Sequence, residues 1–372
     1  MLWSLPESYL LMMALWLAGM SVMLVLLVRW RQRRRLGGKP LGRVHLLLAG
    51  WMLLAACTVL ELGVALFVDQ TDSFHMTNLS RKWEKRHVEP FQKPLRFRSG
   101  EGILYRDSQE FPRFVPADKH HLCFLGDSFT FGHGVADVED RFSNLVREEL
   151  AEKQPDQWIV SNLADAGKDL QWNEALLERL FAESSGENLY RIDTAVYVLC
   201  LNDIEWFNPD RRGFYENLSQ AEPQFFLFRR TFVFNFLYFR ARQFTLPAVR
   251  DYFGSVRQDY DGAPWEAMKQ KLLSVNRMCR EQGTKFRLVI FPFLHNAGPD
   301  YRFRPVHEQI VAFCREAEIP VLDLDPVLTP HADEGLTVNP FDAHPNELAH
   351  RLAAEAIYEW LPAAAERLPV EE

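Results

Sequence analysis

The chain of 372 residues predicts an α/β fold: a five-stranded parallel sheet with helices on both faces, preceded by two transmembrane helices. Three observations predict it. Short apolar runs bounded by turn residues alternate with helical-period segments from His121 to Leu324, the pattern of strands joined by crossover helices. The first three of those runs lead to Gly-Asp-Ser, Asp-Ala-Gly and Asn-Asp, polar turns suited to the carboxyl edge of a sheet. The first seventy residues hold two long apolar runs, whereas the remainder has ordinary globular composition.

Tyr9 to Val28 is long enough to span a bilayer as a helix. Met1 to Ser8 carries no Lys or Arg, which argues against a cleaved signal peptide. Arg29 to Arg43 then carries Arg29, Arg31, Arg33, Arg34, Arg35, Lys39 and Arg43 with no acid. Val44 to Val68 is a second span, interrupted by His45 near one end and Glu61 towards the other. A short, densely basic loop stays in the cytoplasm. Residues 1–68 therefore read as a hairpin with spans at 9–28 and 44–68 and loop 29–43. The N-terminus and everything after Val68 are expected on the far side. Arg81, Lys82, Lys85 and Arg86 oppose that bias, but are fewer and more distant; they suit a solvated linker or contact with anionic headgroups. Glu61 is either a functional intramembrane acid or a carboxylate that reaches the interface.

Residues 69–117 read as a polar linker containing Pro90, Pro94, Pro112 and Pro116, with a strand near Gly102 to Tyr105. The main domain is expected over 118–362 and a tail over 363–372. Its strands are His121 to Gly126, Trp158 to Leu163, Thr194 to Leu201, Lys285 to Phe293 and Ile319 to Leu324. Helical patterns include Phe142, Leu145, Val146 and Leu150, then Trp265 to Glu281 and Val306 to Ala317. An aromatic insert, 206–260, breaks the rhythm after the third strand. Between Phe225 and Phe244, rings alternate with Arg229, Arg230, Arg240 and Arg242. The insert is either a helix packed on the sheet domain or a lid or membrane-surface element.

Net charge is −8, so the overall electrostatics give nucleic-acid binding no support. Cys57, Cys123, Cys200, Cys279 and Cys314 show neither CxxC nor zinc spacing and read as small apolar residues. His120 and His121 are adjacent and point to opposite faces of a strand, so no metal site is expected there or elsewhere. With no glycine-rich phosphate loop either, no cofactor is expected.

The chemistry-bearing stretches are Gly126-Asp127-Ser128, Asp165-Ala166-Gly167, Asn202-Asp203 and Asp342-Ala343-His344. In this order they resemble the four blocks of the SGNH hydrolases, or GDSL esterase/lipase family, over roughly residues 118–362. The resemblance implies a flavodoxin-like three-layer sandwich and serine-dependent cleavage of acyl esters. Ser128 would be the nucleophile, His344 the base and Asp342 its orienting acid. The backbone N–H groups of Ser128 and Gly167 and the amide of Asn202 would form the oxyanion hole. Cys200 stands where the family usually has a glycine two residues before the block asparagine. Asp342 and His344 are two apart rather than three, a spacing found in relatives acting on cell-surface polysaccharides. His350, on the final helix pattern, is the rival base and is expected at the surface. His133 reads as a polar loop residue near the pocket.

The expected activity is that of a membrane-anchored extracytoplasmic serine esterase with a glycan or lipid acyl ester as substrate. The alternatives are an O-acyltransferase working with envelope-polysaccharide machinery, or a non-catalytic scaffold subunit.

Overall fold

The computed structural model describes residues 2–95, 102–184, 189–211, 223–245 and 251–365. Part of the aromatic insert and most of the expected tail therefore lie outside the described residues. The chain resolves into two compact units: Thr71–Ser73, His87–Gln220 and Pro247–Glu372 form one, and Met1–Gln70, Phe74–Arg86 and Ala221–Leu246 the other.

The first unit holds the sheet. A small antiparallel pair, β1 (Gln92–Leu95) and β2 (Ile103–Arg106), precedes it. The main sheet comprises β3 (His120–Gly126), β4 (Trp158–Asn162), β5 (Thr194–Cys200), β6 (Lys285–Phe291) and β7 (Val321–Asp323). All neighbours pair in parallel, in the order β4-β3-β5-β6-β7. β5 is buried along its whole length and β3 everywhere except His120. That is why both read as continuous apolar runs: helices cover a parallel sheet on both faces.

Those helices include Phe142–Lys153, Leu170–Ser184, Ala263–Glu281, Arg304–Glu316 and Glu347–Ala365. Their apolar stripes meet the strands in one core running from Leu95 to Leu361. Proline stands in the first turn of Ala263–Glu281 and of Arg304–Glu316, where its missing N–H costs nothing. Past the sheet, β8 (Thr337–Asn339) and β9 (Asp342–Pro345) form a short antiparallel hairpin ahead of the last helix.

The other unit begins with α1 (Glu7–Leu36) and α2 (Gly42–Phe67), both long and apolar enough to cross a membrane. α1 continues through Arg29 to Arg35, so the basic stretch is largely a helix end. Cations there complement the C-terminal dipole. α3 (Asn78–His87) follows.

Glu61 is buried within the protein, 5% exposed. Its carboxylate accepts from the Tyr9 hydroxyl (3.1 Å) and from the N–H groups of Phe232 (2.7 Å) and Val233 (2.9 Å). It thereby caps the helix Val233–Thr245, and three donors compensate the desolvated charge. Lys82, expected on a solvated linker or against anionic headgroups, is buried and donates to the carbonyls of Ala65 and Val68. Burial lowers its pKa. Phe232 packs edge-on to Tyr9 (5.0 Å) in a small core with Leu5, Met13, Ala65 and Leu79. The described helices of the aromatic insert up to Thr245 thus belong to this unit.

Candidate active site

β3 ends at Gly126, where a Cβ would lie 2.4 Å from the Thr130 hydroxyl and 2.8 Å from the Val198 carbonyl. Only glycine allows this close turn. Asp127 then accepts from the Phe129 N–H (2.9 Å) and caps a single helical turn, Ser128–Phe131. Ser128 is partly exposed on that turn, while Asp127 is buried, its carboxyl pushed up to about 7 by desolvation.

Because β3 lies between β4 and β5, the segments leaving these three strands emerge side by side. Gly167 follows β4, and Asn202 follows β5 in the turn Leu201–Phe207. Gly167 has φ +71, and a Cβ there would meet nothing within 4 Å, so its backbone is open to a ligand. The Asn202 Oδ1 is buried without a hydrogen-bond partner. Its turn is held by Tyr260, whose hydroxyl donates to the Leu201 carbonyl (3.0 Å). The Tyr197 hydroxyl also donates to Asp203 (2.6 Å), whose carboxyl desolvation raises well above its usual range.

Asp342 and His344 sit two apart on β9, a spacing that puts both side chains on one face of a strand. His344 Nε2 lies 2.8 Å from Ser128 Oγ, and Nδ1 lies 2.5 Å from Asp342 Oδ1. The His344 N–H also donates to that Oδ1 (3.1 Å). Ser128, His344 and Asp342 thus form one hydrogen-bonded chain. Burial pushes the Asp342 carboxyl up, but the charge of His344 and hydrogen bonds from His133 and His344 outweigh it and hold the group well below the usual carboxylate range. Cys200 is fully buried at the end of β5, and burial raises its thiol pKa.

His350, expected at the surface, is 0% exposed. Its Nδ1 accepts the Phe142 N–H (3.2 Å), satisfying a first-turn donor of the helix Phe142–Lys153, and its ring stacks on Phe142. Burial, with Arg141 and Arg106 nearby, holds its pKa down at about 3.

His133 is placed closer than the sequence suggests. Its ring centroid is 4.4 Å from that of His344, and its Nε2 is 3.4 Å from Asp342 Oδ2. The loop carrying it is held by Arg106, which donates to the carbonyls of Gly132 and Val135 (both 2.8 Å). Two further supports went unread in the sequence. Thr71 donates to Asp342 Oδ2. Asn162, at the end of β4, donates to the Thr130 carbonyl (2.7 Å) and ties β4 to the serine turn. Gly132 and Gly134 around His133 were the one available signal, since they let the loop fold back.

His133, Asp342 and His344 also present ligand atoms within 4.8 Å of one another, a grouping not expected from sequence. The 2.5 Å between Nδ1 and Oδ1 is hydrogen-bond contact. Ligands each about 2.0–2.2 Å from zinc stand roughly 3 Å apart. A metal would have to break the hydrogen bonds that order the site.

Residues 124–352 match the GDSL-like lipase/acylhydrolase family, more than half of the chain. The chain belongs to this family. Membership puts it in a class of hydrolases that act on esters. No curated protein matches it in sequence.

Several solved structures are similar to this GDSL-family chain. A two-domain esterase (CEX) active on acetylated mannans is 15% identical, with a TM-score of 0.40, and the match covers 68% of this chain and 51% of that one. The chain therefore spans about half the length of that relative. TesA is 18% identical, with TM-score 0.40 and coverage of 66% and 99%. The psychrotrophic esterase EstA from Pseudoalteromonas sp. is 13% identical, with TM-score 0.40 and coverage of 67% and 100%.

Proposed function

We propose that this GDSL-family protein is a membrane-anchored serine esterase that cleaves O-acyl esters of an envelope glycan or lipid through an acyl-enzyme. The observation that carries the reading is the hydrogen-bonded chain from Ser128 Oγ through His344 to Asp342 at the carboxyl edge of the sheet. In this reading, His344 Nε2 takes the Ser128 proton as Oγ attacks the acyl carbonyl. Asp342 holds the imidazole in the tautomer that accepts this proton and stabilises the imidazolium. The N–H groups of Ser128 and Gly167 and the Asn202 amide receive the tetrahedral oxyanion. The same imidazolium then protonates the leaving alkoxide, and water repeats the sequence to release the acid. The envelope substrate is inferred from α1, α2 and the basic loop between them.

The detergent-purified protein should react with a fluorophosphonate probe, and Ser128→Ala should abolish both labelling and turnover of a short-chain ester. Asn202→Ala should lower kcat by roughly a hundredfold or more. Undiminished turnover in Ser128→Ala would sink the reading. A glycan acceptor added to the assay separates hydrolysis from acyl transfer.

A further inference from the structure

We propose that Thr71 and His133 are positioning residues for the triad acid, and that the segment Thr71–Ser73 completes the catalytic site. The proposal rests on the triad reading above.

The two oxygens of Asp342 have separate partners. Oδ1 faces His344, through Nδ1 and the backbone N–H. Oδ2 accepts from the Thr71 hydroxyl and lies 3.4 Å from His133 Nε2. Asp342 is 1% exposed, so an Oδ2 without donors would be a buried charge lacking compensation. The terminal torsion of a carboxylate is otherwise broad and roughly two-fold. Donors on Oδ2 fix that torsion, and with it the direction in which Oδ1 meets His344.

Thr71 is itself fixed. Its carbonyl accepts from the Asn339 amide (3.2 Å). The Ser73 N–H donates to the Phe341 carbonyl (3.2 Å), and the Ala343 N–H donates to the Ser73 hydroxyl (2.9 Å). His133 Nε2 is also 3.3 Å from the Asp72 carbonyl, so the loop after Ser128 and this segment meet over Asp342. Thr71 and Asp72 are both buried. The family match starts at residue 124, so it includes His133 but not Thr71. The segment is therefore a support that this chain adds from outside the matched region.

The test uses the full-length protein in detergent. Thr71→Val keeps the shape and removes the hydroxyl, and should lower kcat roughly tenfold with little change in KM, the scale of one hydrogen bond to a charged group. Thr71→Ser should recover most of that loss. His133→Phe should act in the same direction as Thr71→Val, with partial rescue by His133→Gln. A pH profile separates positioning from folding. The titratable groups around His344 are Asp342, His133 and, at longer range, His350. With fewer donors on Oδ2, more of the acid's charge acts on His344 and favours the imidazolium. The acid limb of kcat/KM should therefore move to higher pH in Thr71→Val. Wild-type turnover and an unmoved limb in Thr71→Val would overturn the proposal. Equal losses in the Val and Ser variants, tracking a lower Tm, would also overturn it. Activity surviving in Ser128→Ala would instead remove the triad reading and this proposal with it.

Discussion

At the scale of single residues, burial favours the neutral form of both Asp342 and His350, and their partners decide the outcome. Asp342 stays ionised because donors surround both its oxygens. His350 stays neutral because a charged imidazole would lie beside Arg141 and Arg106 in the core. Unfolded, His350 regains its ordinary pKa of about 6.5. Below that pH the unfolded chain binds a proton that the folded chain refuses until about pH 3. Its contribution to stability is therefore complete above about pH 6.5 and is lost progressively as pH falls towards 3, on the order of a few kcal/mol over the whole window. His121 and His295, each held down at about 4 by burial, act with the same sign. Asp127 and Asp203, whose carboxyls are pushed up by desolvation, act with the opposite sign, so the test is a difference: from pH 7.5 to pH 5 the Tm of His350→Gln should lose less, or gain more, than that of the wild type. A slope identical to wild type would mean that His350 is not buried neutral.

At the scale of elements, legibility followed the reach of the signal. The five strands of the main sheet were visible because apolar runs closed by polar turns are local. Ser128, Gly167 and Asn202 were visible because each follows a strand. β9 was not read as a strand: its four residues carry the site's acid and base and have no apolar alternation. Thr71 was not legible at all, since nothing local links it to an acid 271 positions away. His350 was misplaced because its position on a helix pattern does not reveal that the Phe142 N–H needs an acceptor. The partners of Glu61 were not legible for the same reason, as Phe232 and Val233 lie far along the chain. Glu61→Ala would leave those two N–H groups and the Tyr9 hydroxyl unpaired, at about 1–3 kcal/mol each. The helix Val233–Thr245 should then become more susceptible to limited proteolysis, and Glu61→Gln should be intermediate. Unchanged protection in Glu61→Ala would show that packing of Phe232 suffices to hold it. Phe225, Phe226, Leu237 and Phe244 remain exposed on this insert, a composition suited to an interface with lipid.

At the scale of the whole molecule, the envelope substrate depends on which side of the membrane the sheet unit occupies. Seven cations lie between Arg29 and Arg43, with no acid among them. Of the four that follow α2, Lys82 is engaged with carbonyls of Ala65 and Val68, and Arg86 pairs with Asp69 (2.7 Å). Under the function proposed above, the seven cations of the loop outweigh these four and would keep it in the cytoplasm, with both α1 and α2 crossing the bilayer. Cys57 is the only exposed cysteine, so Cys57→Ala gives a quiet background for labelling. In that background, Gln109→Cys on the exposed surface of the sheet unit should react with a membrane-impermeant maleimide in intact spheroplasts. An introduced cysteine at Lys39 should react only after lysis. The reverse pattern would put Ser128 in the cytoplasm and exclude a substrate on the outer face, while leaving the triad chemistry untouched.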